Sequence, residues 1–487
     1  MSAPIVQAPC GTVRGIERPG SLAFLGIPYA EAPVGELRFA APVPRATFLG
    51  TFDATAFGAT PQRRSPFLVS TIPEPCIPGE DTLNLNVFTP DTNGALPVMV
   101  YIHGGGYIGG SHVGAWFDGA SYNRDGVVIV TISYRLGFEG FGWIEDAPRN
   151  RGLCDMVCAL EWVRDNIAAF GGDPSKVTIS GQSAGGGAVL SLLAMPMAQG
   201  LFHRVIAHSP VIGVASRAEH ASKGRAFAAE FDVAPTAGGW SSISEDDVLD
   251  RQLAGFMQGG QGQVHPMVPN LMTCMSAVCD ITMAWGPALD DDTMPESPYE
   301  LWRSGFNADV ELLIGTTRDE FYIPMISPPL DKAIAWLDSC ELPGPYVAWA
   351  QELVARGEVD PIARLVTAVE FRRGVLDIAA TRSHSTAHTW AYEFAHTSSV
   401  TGVALHCLEL PFTWDCLQAE GVEAVLGPNQ PQDLADAMHG AWVAFITTGN
   451  PGWPEVSETS IGRVFGAHDD IPAYADVLPM VAALPKR

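Results

Sequence analysis

A serine between glycines is the sharpest chemical signal in the sequence. Ser183 stands in the run Gly181-Gln182-Ser183-Ala184-Gly185, which follows an apolar stretch ending at Ser180 and precedes a run of small residues and leucines. A strand, a tight turn and a helix in that order raise a serine hydroxyl above a sheet, because small neighbours let the chain bend sharply. Ser183 is therefore a candidate nucleophile for acyl transfer. Taken alone, G-x-S-x-G also occurs at ordinary turns.

A second glycine-rich segment strengthens this prediction. The run His103-Gly104-Gly105-Gly106 comes directly after the apolar stretch from Leu96 to Ile102. Glycines allow backbone N–H groups to approach a reacting oxygen closely. We predict that the N–H groups of Gly105, Gly106 and Ala184 form an oxyanion hole for a tetrahedral intermediate. The alternative is a phosphate-binding loop, which is disfavoured because no Gly-Lys-Ser/Thr follows.

A serine nucleophile needs a histidine base, which follows the serine and an acid along the chain in folds that use a nucleophile elbow. Ten histidines follow Ser183, and their spacing alone does not choose between them. They are His203, His208, His220, His265, His384, His388, His396, His406, His439 and His468.

The segment from Gly402 to Phe412 resembles the type-B carboxylesterase and cholinesterase family, whose catalytic histidine lies in a G-x-x-x-H-x-x-E-L pattern. The resemblance implies that His406 is the base. The segment from Gly315 to Phe321 is similarly like the family segment whose D-E glutamate is the triad acid, which implies Glu320.

The likeness extends over most of the chain, and it is closest to bacterial members of the para-nitrobenzyl-esterase-like kind. Further matching segments are Gly26 to Phe39, Glu80 to Asn86, Phe170 to Pro174 and Trp442 to Pro451. It implies an α/β-hydrolase fold, with structural ion pairs between Arg38 and Glu80 and between Arg135 and Asp155. Two positions depart from the family pattern: Thr82 replaces a disulfide cysteine, and Gln182 stands where many relatives have glutamate.

Hydrophobic periodicity predicts the elements that position these residues. Apolar runs indicate buried strands, and spacings of three and four between Asn150 and Phe170 indicate an amphipathic helix. The alternation predicts an α/β fold with a central, mostly parallel sheet flanked by helices. We expect one domain over 1–487, with large helical insertions over the active site at roughly 215–305 and 322–385.

Composition limits the classes of partner. The 487 residues carry a formal net charge of −26 without a basic cluster, so nucleic acid is excluded as an expected partner. The sequence has no apolar run long enough for a membrane span. Nine scattered cysteines, none spaced for a zinc site, suggest free thiols in a reducing compartment, which we expect to be the cytoplasm. The oligomeric state is not readable from the sequence.

These observations together predict a serine carboxylesterase that acts on a small-molecule ester and requires no cofactor and no metal. The same triad also suits amide, thioester or carbonate-type bonds, and chain motifs do not separate these. A non-catalytic interaction protein on the same scaffold is the other alternative, because a fold does not fix a function.

Overall fold

The computed structural model describes residues 3–64, 71–258, 285–320, 344–357, 361–457, 460–466 and 472–483. A 10-stranded sheet is the centre of this part of the chain, and a 3-stranded sheet accompanies it. The strands are β1 (Ile5–Ala8), β2 (Gly11–Arg14), β3 (Ile16–Arg18), β4 (Ser21–Pro28), β5 (Thr51–Asp53), β6 (Asn84–Thr89), β7 (Leu96–Ile102), β8 (Val128–Ile132), β9 (Gly172–Gln182), β10 (Arg204–His208), β11 (Glu311–Thr317), β12 (Thr389–Phe394) and β13 (Arg463–Phe465).

The large sheet has the strand order β13-β12-β11-β10-β9-β7-β8-β6-β4-β3. Pairing is parallel from β13 through β8, and it is antiparallel where β6, β4 and β3 extend the sheet. Strands buried on both faces are typical of parallel sheets, and every residue of β8 is buried. The predicted central, mostly parallel sheet is confirmed.

Each central strand supplies side chains to two separate cores, because successive residues of a strand point to opposite faces. In β7, Val98, Val100 and Ile102 join one core, whereas Met99 and Tyr101 join the other.

Helices cover both faces of the sheet. Leu153 and Val189 belong to the first core, and Trp442 and Phe445 belong to the second. The helices are α1 (Ala120–Arg124), α2 (Gly137–Phe141), α3 (Arg151–Asn166), α4 (Ala184–Leu193), α5 (Arg217–Glu230), α6 (Ala237–Trp240), α7 (Glu245–Gln258), α8 (Pro298–Arg303), α9 (Gly344–Ala355), α10 (Pro361–Thr367), α11 (Arg373–Thr381), α12 (Leu410–Thr413), α13 (Val422–Leu426), α14 (Gln432–Thr448) and α15 (Leu478–Ala482). A π-helical turn, Ala368–Arg372, joins α10 to α11.

The ranges predicted as insertions fall within the connection between β10 and β11 and the connection between β11 and β12. Helices α5 to α8 lie between β10 and β11, and α9 to α11 lie between β11 and β12. Residues 259–284 and 321–343 of these insertions lie outside the described residues, so their placement over the site stays a prediction. None of the helices in the described ranges is both long enough and apolar enough to cross a membrane.

Candidate active site

Ser183 occupies a sharp bend between β9 and α4. Its backbone has φ 59° and ψ −121°, which is a strained conformation for a residue with a side chain. The Ser183 N–H donates to the carbonyl of His208 at 2.9 Å, and its own carbonyl accepts from Gly187 N–H at 2.9 Å. These bonds hold the serine in the predicted elbow.

The glycines on either side of the serine are required by close backbone approach. A Cβ on Gly181 would lie 2.3 Å from the carbonyl oxygen of Gly185. A Cβ on Gly185 would lie 2.1 Å from the carbonyl oxygen of Ile102 in β7. The bend can therefore pack against the sheet only without side chains at these two positions.

His406 is held by a buried carboxylate. Its Nδ1 lies 2.5 Å from Oε2 of Glu320, whose side chain has no exposed surface. The other carboxylate oxygen of Glu320 accepts from Thr317 N–H at 2.8 Å, and His406 N–H donates to the Glu320 carbonyl at 3.1 Å. Since an ionised carboxylate only accepts, Nδ1 carries the proton and Nε2 presents a lone pair.

The predicted oxyanion loop lies against the serine. Gly105 and Gly106 have φ of 107° and 64°, which favour glycine. A Cβ on Gly104 would lie 3.0 Å from Cβ of Ser183. Within the ranges that the structure describes, no acceptor pairs with the N–H groups of Gly105, Gly106 or Ala184. Ala184 is the first residue of α4, where N–H groups have no partner inside the helix.

His103 fixes the start of this loop. Its Nδ1 donates to the Gly104 carbonyl at 2.8 Å, and its own carbonyl accepts from the Tyr134 hydroxyl at 2.9 Å. The two rings also stack, with centroids 4.6 Å apart. Burial lowers the pKa of His103 to about 3, so the imidazole is neutral. The loop is thus anchored on both its side chain and its backbone.

The site lies at the carboxyl edge of the parallel strands. The oxyanion loop follows β7, Ser183 follows β9 and Glu320 follows β11. These three strands run in the same direction, so their ends meet at one edge of the sheet, which is where α/β sheets hold their ligands. The oxyanion loop, Ser183 and Glu320 therefore lie at one edge of the sheet, and His406 is bound to Glu320 there.

Gln182 is a site residue that the sequence reading names only as a departure from the family. Its amide nitrogen lies 3.1 Å from Nε2 of His406, on the ring atom that faces away from Glu320. The alternation of side chains along β9 could have indicated that residue 182 points away from its neighbours, but not that it reaches the imidazole.

Glu409 is a second buried carboxyl near His406. Neither of its oxygens has a hydrogen-bond partner among the described residues, and its Oε1 lies 3.7 Å from Nδ1 of His208. Burial, with a smaller contribution from the charge of Glu320, raises the pKa of Glu409 well above its ordinary value. Burial also lowers the pKa of His208 to about 3. The two groups are therefore a neutral pair and not an ion pair.

One of the two ion pairs implied by the family resemblance is wrong. Arg135 and Asp155 form the expected buried pair at 2.7 Å. Arg38 instead pairs with Glu139 at 2.7 Å, whereas Glu80 lies at the surface. Glu139 is in α2, which packs beside the loop of Arg38 and offers a more buried partner.

Comparison with known proteins gives the same assignment as the geometry. Residues 2–334 match the model of the carboxylesterase family. The para-nitrobenzyl esterase of Bacillus subtilis (strain 168) is 34% identical over 94% of this chain and 94% of its own length. Carboxylesterase 1E of Mus musculus is 31% identical over 92% of this chain and 86% of its own.

Solved structures agree with these relatives. A structure of a para-nitrobenzyl esterase superposes with a TM-score of 0.82 at 32% identity, covering 95% of this chain and 96% of the other. A carboxylesterase from Geobacillus stearothermophilus gives a TM-score of 0.79 at 29% identity over the same shares. The chain thus belongs to the carboxylesterase family, has the α/β-hydrolase fold and is a serine carboxylic-ester hydrolase.

Proposed function

We propose that Ser183, His406 and Glu320 hydrolyse a small carboxylic ester by two-step acyl transfer. The observation that carries the proposal is the imidazole of His406, which a buried carboxylate holds through Nδ1 at 2.5 Å and which Gln182, the residue before the strained Ser183, contacts at Nε2. That combination orients a neutral base toward a nucleophile.

In the first step, Nε2 of His406 takes the hydroxyl proton as Oγ of Ser183 attacks the ester carbonyl carbon. The carbonyl electron pair moves onto oxygen, where the N–H groups of Gly105, Gly106 and Ala184 stabilise the negative charge. Collapse of the intermediate expels the alcohol, which takes the proton from the imidazolium. The acyl group is then esterified to Ser183.

In the second step, a water molecule replaces the alcohol. Nε2 of His406 takes a proton from that water as its oxygen attacks the acyl carbonyl, and the imidazolium then returns the proton to Oγ of Ser183. Glu320 keeps Nδ1 protonated and stabilises the imidazolium in both steps. No residue outside these groups is required to balance protons or electrons.

The cellular compartment is proposed on the cysteines. Cys10, Cys76, Cys154, Cys158, Cys407 and Cys416 are free thiols in the described ranges. Thr82 replaces the cysteine that forms a disulfide in secreted relatives. Free thiols persist in reducing compartments, so we propose a cytoplasmic location.

The decisive experiment is Ser183→Ala, assayed with p-nitrophenyl esters of increasing acyl length. We expect hydrolysis to fall by ~10⁴-fold or more, because the nucleophile is lost while the oxyanion donors remain. Ser191→Ala is the matched control: that buried hydroxyl donates to the Gly187 carbonyl in α4, away from the reacting atoms. It should retain activity and fluorophosphonate labelling. Turnover at the parent rate by Ser183→Ala would refute the mechanism.

A further inference from the structure

The side chain of Gln182 touches two parts of the site, His406 and the oxyanion loop. Its amide nitrogen lies 3.1 Å from Nε2 of His406. Its Oε1 lies against the oxyanion loop, 3.0 Å from where a Cβ on Gly104 would stand. Gln182 itself is 1% exposed, so these contacts are made without competing water.

The direction of the amide–imidazole hydrogen bond follows from the other side of the ring. Nδ1 donates to the Glu320 carboxylate, so the neutral ring has its lone pair on Nε2. The Gln182 NH₂ group therefore donates and Nε2 accepts. A hydrogen bond to the lone pair stabilises the neutral ring, because protonation of Nε2 would set two donors against each other.

This lone pair is also the one that must receive the Ser183 proton. We infer that Gln182 is a positioning residue: its amide keeps His406 neutral and in the productive tautomer, and it releases Nε2 when the serine transfers its proton. The inference rests on the acyl-transfer mechanism proposed above. It goes beyond that mechanism by giving the residue before the nucleophile a part in setting the pH at which the base works.

Several other groups surround His406. Glu320 faces the ring from the turn after β11, and Cys407 and Glu409 lie on the histidine's own segment. The ring of Phe371, in the π-helical turn, has its centroid 5.3 Å from that of His406. Glu74 acts at longer range on Cys407. A substitution at Gln182 leaves all of these in place.

The test compares Gln182→Met, Gln182→Glu and a matched control by the pH dependence of kcat/KM for p-nitrophenyl acetate and of fluorophosphonate labelling. Gln430→Met is the control, because Gln430 also pairs with a histidine, His396, at 2.8 Å but outside the triad. For Gln182→Met we expect the acid half-point to rise by ~0.5 to 1 pH unit, which corresponds to one lost hydrogen bond to the neutral ring.

The other two variants test the direction of the shift and its specificity for Gln182. Gln182→Glu should raise the acid half-point further, because a carboxylate beside Nε2 favours the imidazolium. Gln430→Met should leave it unchanged. A folded Gln182→Met whose profile overlays the parent profile would overturn the inference and leave the mechanism standing. If Gln182→Met fails to fold, an unshifted profile of Gln182→Glu overturns it instead. A parent that neither turns over esters nor reacts with fluorophosphonate would overturn both.

Discussion

Two buried glutamates near His406 have different surroundings. The Glu320 carboxylate faces an imidazole N–H and a backbone N–H, which stabilise a negative charge. Neither carboxyl oxygen of Glu409 has a hydrogen-bond partner among the described residues, and its pKa is raised by burial and by the charge of Glu320. When two carboxyl groups lie close together with little solvent, a state in which only one of them is ionised is favoured.

Glu409 should therefore make the fold less stable as the pH rises. An unfolded glutamate loses its proton near ~4.3, whereas the folded state still holds its proton above that pH. The unfolded state then binds fewer protons, so the free energy of unfolding falls with increasing pH. Above pH ~4.3, the free energy of unfolding of Glu409→Gln should increase relative to that of the parent. The increase should be about 1.4 kcal/mol per pH unit until the folded carboxyl ionises.

Thermal unfolding of both proteins between pH 4 and pH 8 measures this difference. The matched control is Glu393→Gln, which removes a buried carboxylate paired with Arg372 at 3.0 Å and should lower the melting temperature at neutral pH. A melting-temperature difference for Glu409→Gln that stays constant from pH 4 to pH 8 would contradict the assignment of Glu409 as a neutral acid.

The sequence predicts single residues whose type suits a chemical role, but it does not predict which distant side chains they contact. Ser183 and the glycines of the loop are predicted from motifs with a physical reason, and Glu320 and His406 come from the family resemblance. The contact between Gln182 and His406 joins residues 224 positions apart, and no local pattern encodes it. The pair of Arg38 with Glu80, which the resemblance implies, is wrong, because Arg38 pairs with Glu139, 101 positions away.

The elbow between β9 and α4 leaves no space for a side chain at Gly185. A methyl group on Gly185 would press into the carbonyl oxygens of Ile102 and His103, at 2.1 and 2.7 Å, and backbone atoms cannot move aside cheaply. We expect Gly185→Ala to be destabilised by more than ~2 kcal/mol and to lose most of its activity.

Gly440 in α14 provides the matched control. A Cβ there would meet no atom within 4 Å, and the residue lies on the exposed face of the helix. Gly440→Ala should raise stability by about 0.5–1 kcal/mol, because alanine favours the helix. Denaturant unfolding of the two variants gives both values, and equal effects of the same sign would refute the argument from close approach.

Elements with continuous apolar patterns are predicted well from the sequence, and those with buried polar residues are not. The strand β7 has the predicted bounds, and α3 begins within a residue of its predicted start. The strand β6 escapes prediction because Asn84 and Asn86 interrupt its apolar run. Asn86 is nevertheless buried, since its amide bonds to Gly26 N–H and to the Thr131 hydroxyl across the sheet. Such tertiary hydrogen bonds leave no signal in a local window.

For the whole molecule, the net charge of −26 should set a dependence of stability on salt. Self-repulsion among acidic groups opposes a compact state, and salt screens it over a Debye length that shortens from ~30 Å at 0.01 M to ~8 Å at 0.15 M. We expect the melting temperature at pH 7.5 to rise by about 2 °C when sodium chloride is raised from about 10 mM to about 300 mM. At pH 4.7, the isoelectric point calculated from the sequence, the rise should vanish. A melting temperature that falls with salt at pH 7.5 would mean that attractive ion pairs dominate.

The three residues of the proposed triad come from distant parts of the chain, which the ends of parallel strands bring to one edge of the sheet. The elbow requires β9 beside β7, the acid requires β11 beside β10, and the histidine requires the segment after β12. Ester turnover should consequently be the last property to return during refolding, after any spectroscopic sign of helix content. Recovered hydrolysis is then a stringent report on a completed sheet, and no fragment ending before His406 can regain it.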